Sequence, residues 1–281
     1  MKLSSDDFNS ITRLYIQQDW LLGKKEELYE LINFCETSEN KKLIFSLLQR
    51  FSYLNNKKLS FLYQIICEHI LQNSGFQEDK TQLLSLTWDD EADSSQKVLD
   101  NLKNPIYKAG WRNVKTVNTF GKSIKNYNEG KTQILIIDEF VGSGQTLRGR
   151  INYLKKNIPG KFDVKCCFIA GIKENIDLLK AEGIDIFCAL ELEKGLSGYY
   201  KDDELHKAIL LMLGLELKLA QNIKTKDLYQ YSFGYGEAEA LYSMEGAIGN
   251  TPNSVFPIFW WLKDKQFKDR NTILTRVESG F

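Results

Sequence analysis

The chain has 281 residues, 43% hydrophobic and 26% charged, enough for one large domain or two smaller ones with a real core. Lys plus Arg (37) equals Asp plus Glu (37), so the formal net charge is zero and bulk charge gives no support for binding nucleic acid. No signal peptide or bilayer-length apolar run is visible, and Cys35, Cys67, Cys166, Cys167 and Cys188 form no C-x-x-C pair, so a cytoplasmic protein with buried reduced thiols, no membrane and no zinc is expected.

Residues 1–78 read as a helical region. Ser4 offers a cap with Asp7 three residues on, and Phe8, Ile11, Leu14 and Tyr15 recur at helical spacing. The stripes Leu28/Leu31/Ile32/Cys35, Leu43/Ile44/Leu47/Leu48/Phe51 and Leu59/Leu62/Ile66/Ile70 follow, with Gly75 as a stop. His69 beside the last stripe reads as a packed or surface histidine. The period then changes. Strands are expected at Gln82–Trp88, Asn113–Phe120, "QILIIDEF", "FDVKCCFIA" and "IDIFCAL". Helices are expected from Asp93–Ser95 onward, from Gly144 to Asn157, and over "ENIDLLKAEG". That alternation predicts an α/β core over 79–195 with a mostly parallel sheet and flanking helices. Residues 196–281 form a C-terminal extension, helical to about 221 and then irregular and aromatic.

The stretch "TQILIIDEFVGSGQTL", Thr132–Leu147, concentrates the chemistry. An apolar strand runs into Asp138 and Glu139, then through a turn of small residues into a helix. In an open parallel sheet, ligands sit beyond the strands' carboxyl ends. The first N–H groups of the helix, from Ser143 to Thr146, make an anion site, and Gly142 and Gly144 let a phosphate approach. Two carboxylates repel that phosphate. They suit hydroxyls a few ångströms away, or a metal. A ribose 5'-phosphate has both an anionic end and hydroxyls. A P-loop is excluded because Gln145 stands where its Lys belongs, and the dinucleotide fingerprint fails at Leu147.

These residues resemble the ribose-phosphate-binding motif of the type I phosphoribosyltransferases: an apolar strand, two acids, two apolar residues and a T/S-G-x-T loop. The resemblance implies a phosphoribosyltransferase-like fold. It implies that Asp138 and Glu139 hold the ribose hydroxyls, and that Gly142, Ser143, Gly144, Gln145 and Thr146 hold the 5'-phosphate. The ligand would be phosphoribosyl pyrophosphate or a nucleotide, with Mg2+ as cofactor. The family's pyrophosphate loop maps to "WDDEADSSQK", with Asp89, Asp90, Asp93, Ser94 and Ser95 as candidates; its carboxylates either meet a magnesium complex or exclude pyrophosphate. The family's flexible loop maps to "FGKSIKNYNEGK", where Lys122 and Lys125 would cover the leaving group and Gly121 and Gly130 would be hinges. The added N- and C-terminal regions resemble the divergent branch found in bacterial conflict and phage-defence operons, which implies a partner protein from the same operon. In "GNTPNSVFPIFWW", Asn250, Asn253 and Trp260 are candidates for reading a base, and an aromatic core is the competing reading. The sequence leaves three functions open: a glycosyl-transfer enzyme, a degenerate nucleotide sensor, or a defence effector.

Overall fold

The structure, a computed structural model, describes residues 4–86, 94–245 and 250–276. Its contacts divide the chain into two compact units: Asn55–Leu192, and Met1–Leu54 together with Glu193–Val277. Residues 55–78, grouped above with the N-terminal helices, therefore cluster with the sheet, and the C-terminal extension shares a unit with the first helices.

The Asn55–Leu192 unit holds a five-stranded sheet of β2 (Thr81–Ser85), β3 (Lys115–Val117), β4 (Gln133–Val141), β5 (Asp163–Ile172) and β6 (Ile186–Leu192). All pairs are parallel, in the order β3-β2-β4-β5-β6. The mostly parallel α/β expectation is met. Parallel strands require crossovers, and the helices provide them. α6 (Phe120–Asn128), α7 (Gln145–Asn157) and α8 (Lys173–Ala181) share one core with Leu84, Ile134, Ile136, Cys166, Phe168 and Cys188. α4 (Asn56–Glu68) and α5 (Ser94–Lys108) pack on β2, β4, β5 and β6. Cys166 and Cys167 are buried, and desolvation pushes both thiols up, so they are packing residues.

One element differs from expectation. The "flexible loop" with Lys122 and Lys125 is the helix α6. The Thr119 hydroxyl caps it by accepting the Lys122 amide, Phe120, Ile124 and Tyr127 pack on the core, and Gly130 closes the helix by donating to the Tyr127 carbonyl (2.9 Å). Gln82, fully buried on β2, fastens it. Its amide donates to the Ser123 carbonyl (3.1 Å) and to the Lys131 carbonyl just past the helix (2.9 Å). Gln82→Leu would leave both carbonyls without this donor, at about 1–3 kcal/mol of stability; urea denaturation should show that loss.

In the other unit, α1 (Ser5–Gln17) starts as expected, with the Ser4 hydroxyl accepting the Asp7 amide (3.0 Å). Phe8 is exposed, whereas Ile11 and Leu14 are buried. α2 (Lys25–Phe34), α3 (Ser38–Gln49) and α9 (Asp202–Glu216) belong to this unit, α3 packs on α9, and Trp261, Tyr242, Phe256 and Phe259 are buried. The sequence did not reveal β1 (Ser52–Leu54), which pairs in parallel with β9 (Tyr242–Met244). At the end of α9, the buried Glu216 carboxylate accepts the Ser232 hydroxyl (2.5 Å) and the Phe233 amide (3.1 Å). Burial raises its pKa from 4.5 to about 7, against the lowering effect of those two bonds. The folded state therefore holds the proton more tightly than the unfolded chain. This contribution is fully present below pH 4.5 and is lost as pH rises to about 7. The loss amounts to about 3 kcal/mol. Glu216→Gln should flatten that part of the stability–pH curve, which denaturation at a series of pH values measures.

Candidate functional site

The strand order places a topological switch between β2 and β4. The chain leaves β2 for β3 on one side and later returns to β4 on the other. Ligands in such sheets bind in the crevice at the carboxyl ends of the strands flanking the switch. Thr132–Leu147 ends there. So does β2, whose Leu86 amide donates to the Ile137 carbonyl (3.3 Å).

β4 runs through both acids to Val141. Asp138 pairs with Phe168, Phe140 with Ala170 and Val141 with Gly171. The acids thus lie inside the strand and not at its end. The extension depends on Gly171, where a Cβ would collide with Val141 Cγ1 and lie 3.1 Å from Ile176 Cδ1. A strand sends successive side chains to opposite faces. Ile134 and Ile136 face the core under α6–α8, so Asp138 turns that way. It is half-buried, and its Oδ1 accepts the Glu139 amide (2.7 Å). Glu139 turns to the α4/α5 face with 2% exposure, and its charge helps to raise the pKa of the Tyr63 hydroxyl, which burial raises most. The two acids that the sequence pairs are therefore in different environments.

After Val141, the backbone turns at Gly144, in the left-handed region (φ +76°), and α7 begins at Gln145. The N-cap residue Gly144 contributes no side-chain hydrogen bond to the start of α7. Gly142 and Gly144 are buried, Ser143 is half-buried, and Gln145 and Thr146 are exposed. A Cβ on Gly144 would stand 3.0 Å from both Leu179 methyls and 3.1 Å from Arg148 Nη1. The conformation and this packing both require glycine here, quite apart from any ligand.

Two arginines of α7 escaped the sequence reading. Arg148 donates through Nη1 to the Ser143 carbonyl (2.9 Å) and holds Glu182 in a bidentate pair (both 2.7 Å), so it ties the loop to the end of α8. The pair, above all the hydrogen bond to Glu182, raises the Arg148 pKa. Arg150 reaches the carboxyl end of β2, where Nε donates to the Leu86 carbonyl (3.3 Å). Both lie one or two turns along a helix whose sequence looks like an ordinary basic surface. Only the tertiary fold brings Arg148 to Ser143 and Glu182, and Arg150 to Leu86.

The other candidates lie as follows. Lys122 is exposed in the first turn of α6, with Nζ 3.4 Å from Asn118 Oδ1, and Lys125 is exposed nearer its end. Asp89, Asp90 and Asp93 lie outside the described residues. Ser94 opens α5, and Ser95 is buried in its first turn. Asn250, Asn253 and Trp260 belong to the other unit. There the Asn253 carbonyl accepts the Tyr235 amide (2.8 Å), and the Trp260 indole is buried, donates to the Val255 carbonyl (2.8 Å) and packs edge-on against Trp261. That ring serves the aromatic core. His69 stacks flat on Phe187 at 3.8 Å. Among the described residues, no group of three His, Cys, Asp or Glu side chains is placed to hold a metal, and no helix is long and apolar enough to cross a membrane.

A family model described as PRTase-CE matches residues 30–276. The chain belongs to the PRTase-CE family. This phosphoribosyltransferase-like family assignment agrees with the motif on β4 and α7. No curated protein matches the chain. Among solved structures it is similar to a hypothetical protein from Neisseria gonorrhoeae with bound ppGpp, at 13% identity and a TM-score of 0.37, covering 57% of this chain and 96% of that one. It is also similar to an HGPRT-ase from Leishmania tarentolae in complex with GMP, at 11% identity and TM-score 0.33, covering 50% and 80%. A third is orotate phosphoribosyltransferase from Aeropyrum pernix, at 12% identity and TM-score 0.31, covering 46% and 70%. Likenesses this distant bear on neither ligand nor chemistry in this PRTase-CE chain.

The turn geometry gives a direct expectation. Gly144→Val puts a β-branched residue at positive φ against Leu179. It should cost roughly 1–3 kcal/mol of stability, visible in chemical denaturation with no ligand present.

Proposed function

We propose that the turn between β4 and α7 binds a ribose 5'-phosphate ligand, either phosphoribosyl pyrophosphate or a nucleotide. One observation carries this reading: a half-buried carboxylate, Asp138, precedes a glycine turn and a helix start at the switch point of a parallel sheet. The amides of Gln145 to Leu147 and the Ser143 and Thr146 hydroxyls receive the 5'-phosphate. Asp138 accepts from a ribose hydroxyl. Glu139 lies on the opposite face of β4, buried beside Tyr63. Arg148 keeps the loop in place through the Ser143 carbonyl.

As an enzyme, the chain transfers the 5-phosphoribosyl group. The bond from C1' to the pyrophosphate oxygen breaks with its electrons leaving on pyrophosphate, and an acceptor donates an electron pair to C1'. The site's task is to position the sugar and stabilise the departing anion. Magnesium belongs to the pyrophosphate complex, since it needs only one or two carboxylates beside substrate phosphates. The same chemistry suits an antiphage effector working with a partner protein encoded nearby. A catalytically silent nucleotide sensor is the second reading. It is favoured by α6, which holds Lys122 and Lys125 on a capped helix and not on a mobile loop.

Isothermal titration separates the two. Magnesium-dependent binding of phosphoribosyl pyrophosphate, with pyrophosphate release in the presence of an acceptor, supports the enzyme. Mononucleotide binding without turnover supports the sensor. Absence of binding by any ribose phosphate removes both. Asp138→Asn should weaken ribose 5'-phosphate by roughly 1.5–3 kcal/mol and leave inorganic phosphate unchanged. An equal loss for both ligands would assign Asp138 to the loop's structure.

A further inference from the structure

α9 carries an exposed stripe that nothing in the site uses. Asp203, His206, Leu210, Leu213 and Leu217, the last being its C-cap residue, repeat at intervals of three and four. That is the spacing of a coiled-coil seam. Leu210, Leu213 and Leu217 are 55%, 37% and 67% exposed, while Ala208, Met212 and Leu215 are buried on the helix's other side. Gly214 flanks the stripe, and nothing lies within 4 Å of a Cβ built on it. The helix therefore carries the conformational cost of a glycine without using the space inside its own chain.

The ends of the stripe differ in charge. Asp202, Asp203 and Glu204 occupy the first turn and are exposed. Beyond the last turn, Ala220 donates to the Lys263 carbonyl (3.1 Å) and Lys265 donates through its amide to the Lys218 carbonyl (2.8 Å), which brings the exposed Lys265 and Lys268 and the 57%-exposed Phe267 to that end; Asp269 there is paired with Lys263 (2.7 Å) and Asp264 accepts the Gln266 and Lys268 amides, so the segment keeps an excess of basic groups.

We propose that two copies of this chain associate through α9, antiparallel, about a two-fold axis between residues 211 and 212. Leu210 then meets Leu213 of the second copy, and His206 meets Leu217. Asp203 comes opposite the segment around Ala220, where Lys265 lies. A parallel pairing would set one acidic first turn against the other, so the charge pattern selects the antiparallel arrangement. A stable interface removes about 800 Å² per partner. One helix face supplies less than that, so the proposed contact includes the adjoining turn with the exposed Phe267 and Lys265.

Sedimentation equilibrium of the full chain over a concentration series tests this. The native chain should show a monomer–dimer equilibrium. Leu213→Glu should abolish it with the circular dichroism spectrum unchanged, because Leu213 is already exposed. Lys265→Glu should raise the dimer dissociation constant about tenfold, and Asp203→Lys added to it should restore the dimer. These two surface changes decide the matter even if Leu213→Glu disturbs folding. A native chain that stays monomeric to its solubility limit would overturn the proposal and leave the stripe to another protein. A dimer insensitive to both the leucine and the charge changes would overturn it as well.

Discussion

The constraint on which the Asn55–Leu192 unit depends is that all five strands of its sheet point the same way. A parallel sheet cannot be joined by tight hairpins. Each connection must cross back over a face, and four of those connections here contain a helix that begins at the strands' carboxyl edge: α5, α6, α7 and α8. That edge therefore gathers helix amino termini, strand ends and the loops between them. Its electrostatics follow from backbone direction before any side chain is chosen. Side chains then decide what the edge accepts. Asp138 adds a negative group, Ser143 and Thr146 add hydroxyls, and Gly144 permits a turn short enough to bring them together.

Much of this is legible in the sequence, for local reasons. β4 and α7 announce themselves by a change of apolar period within a few residues, and the residues of the turn are consecutive. What the sequence hides is set by tertiary contact. Asp138 and Glu139 look like a pair, yet strand alternation sends them to opposite faces, and Glu139 becomes buried while Asp138 stays accessible. The extension of β4 past the acids depends on Gly171, thirty positions along, in the neighbouring strand. Arg148 and Arg150 read as solvated helix residues until Ser143, Glu182 and Leu86 are placed around them. α6 was readable from the Thr119 cap and the Phe120/Ile124/Tyr127 stripe, but Gly121 in its first turn, Gly130 just past its end and several lysines imitate a loop.

The other unit was the less legible one, because its order rests on features without a sequence period. Phe233, Gly234, Gly236, Glu237 and Glu239 all adopt positive φ within seven residues. Such backbone persists only where the surroundings over-determine it. Two buried carboxylates contribute. Glu216 receives the Phe233 amide, and Glu239 receives the Leu196 and Ser197 amides at 2.7 and 2.8 Å. Gly234 is pressed against the Ser254 carbonyl so closely that a Cβ has no room. In composition this stretch is a glycine- and acid-containing loop. In the structure it is a strap held by these carboxylates and packed against Ser254.

The pairing of β1 with β9 bears on how the chain is built in time. Ser52 lies beside Tyr242, and the whole of Asn55–Leu192 intervenes in sequence. During synthesis the sheet-bearing unit emerges as one continuous segment and has all its strands before residue 200. The first helices, by contrast, must wait for residues 242–244 before their short sheet can close. Long loop closure slows folding and leaves apolar surface uncovered meanwhile. A sheet-bearing unit that folds first would shorten that loop, since a folded insert holds its two ends at a fixed separation. Destabilising the insert would then slow the maturation of the flanking unit, even for changes that touch none of its residues.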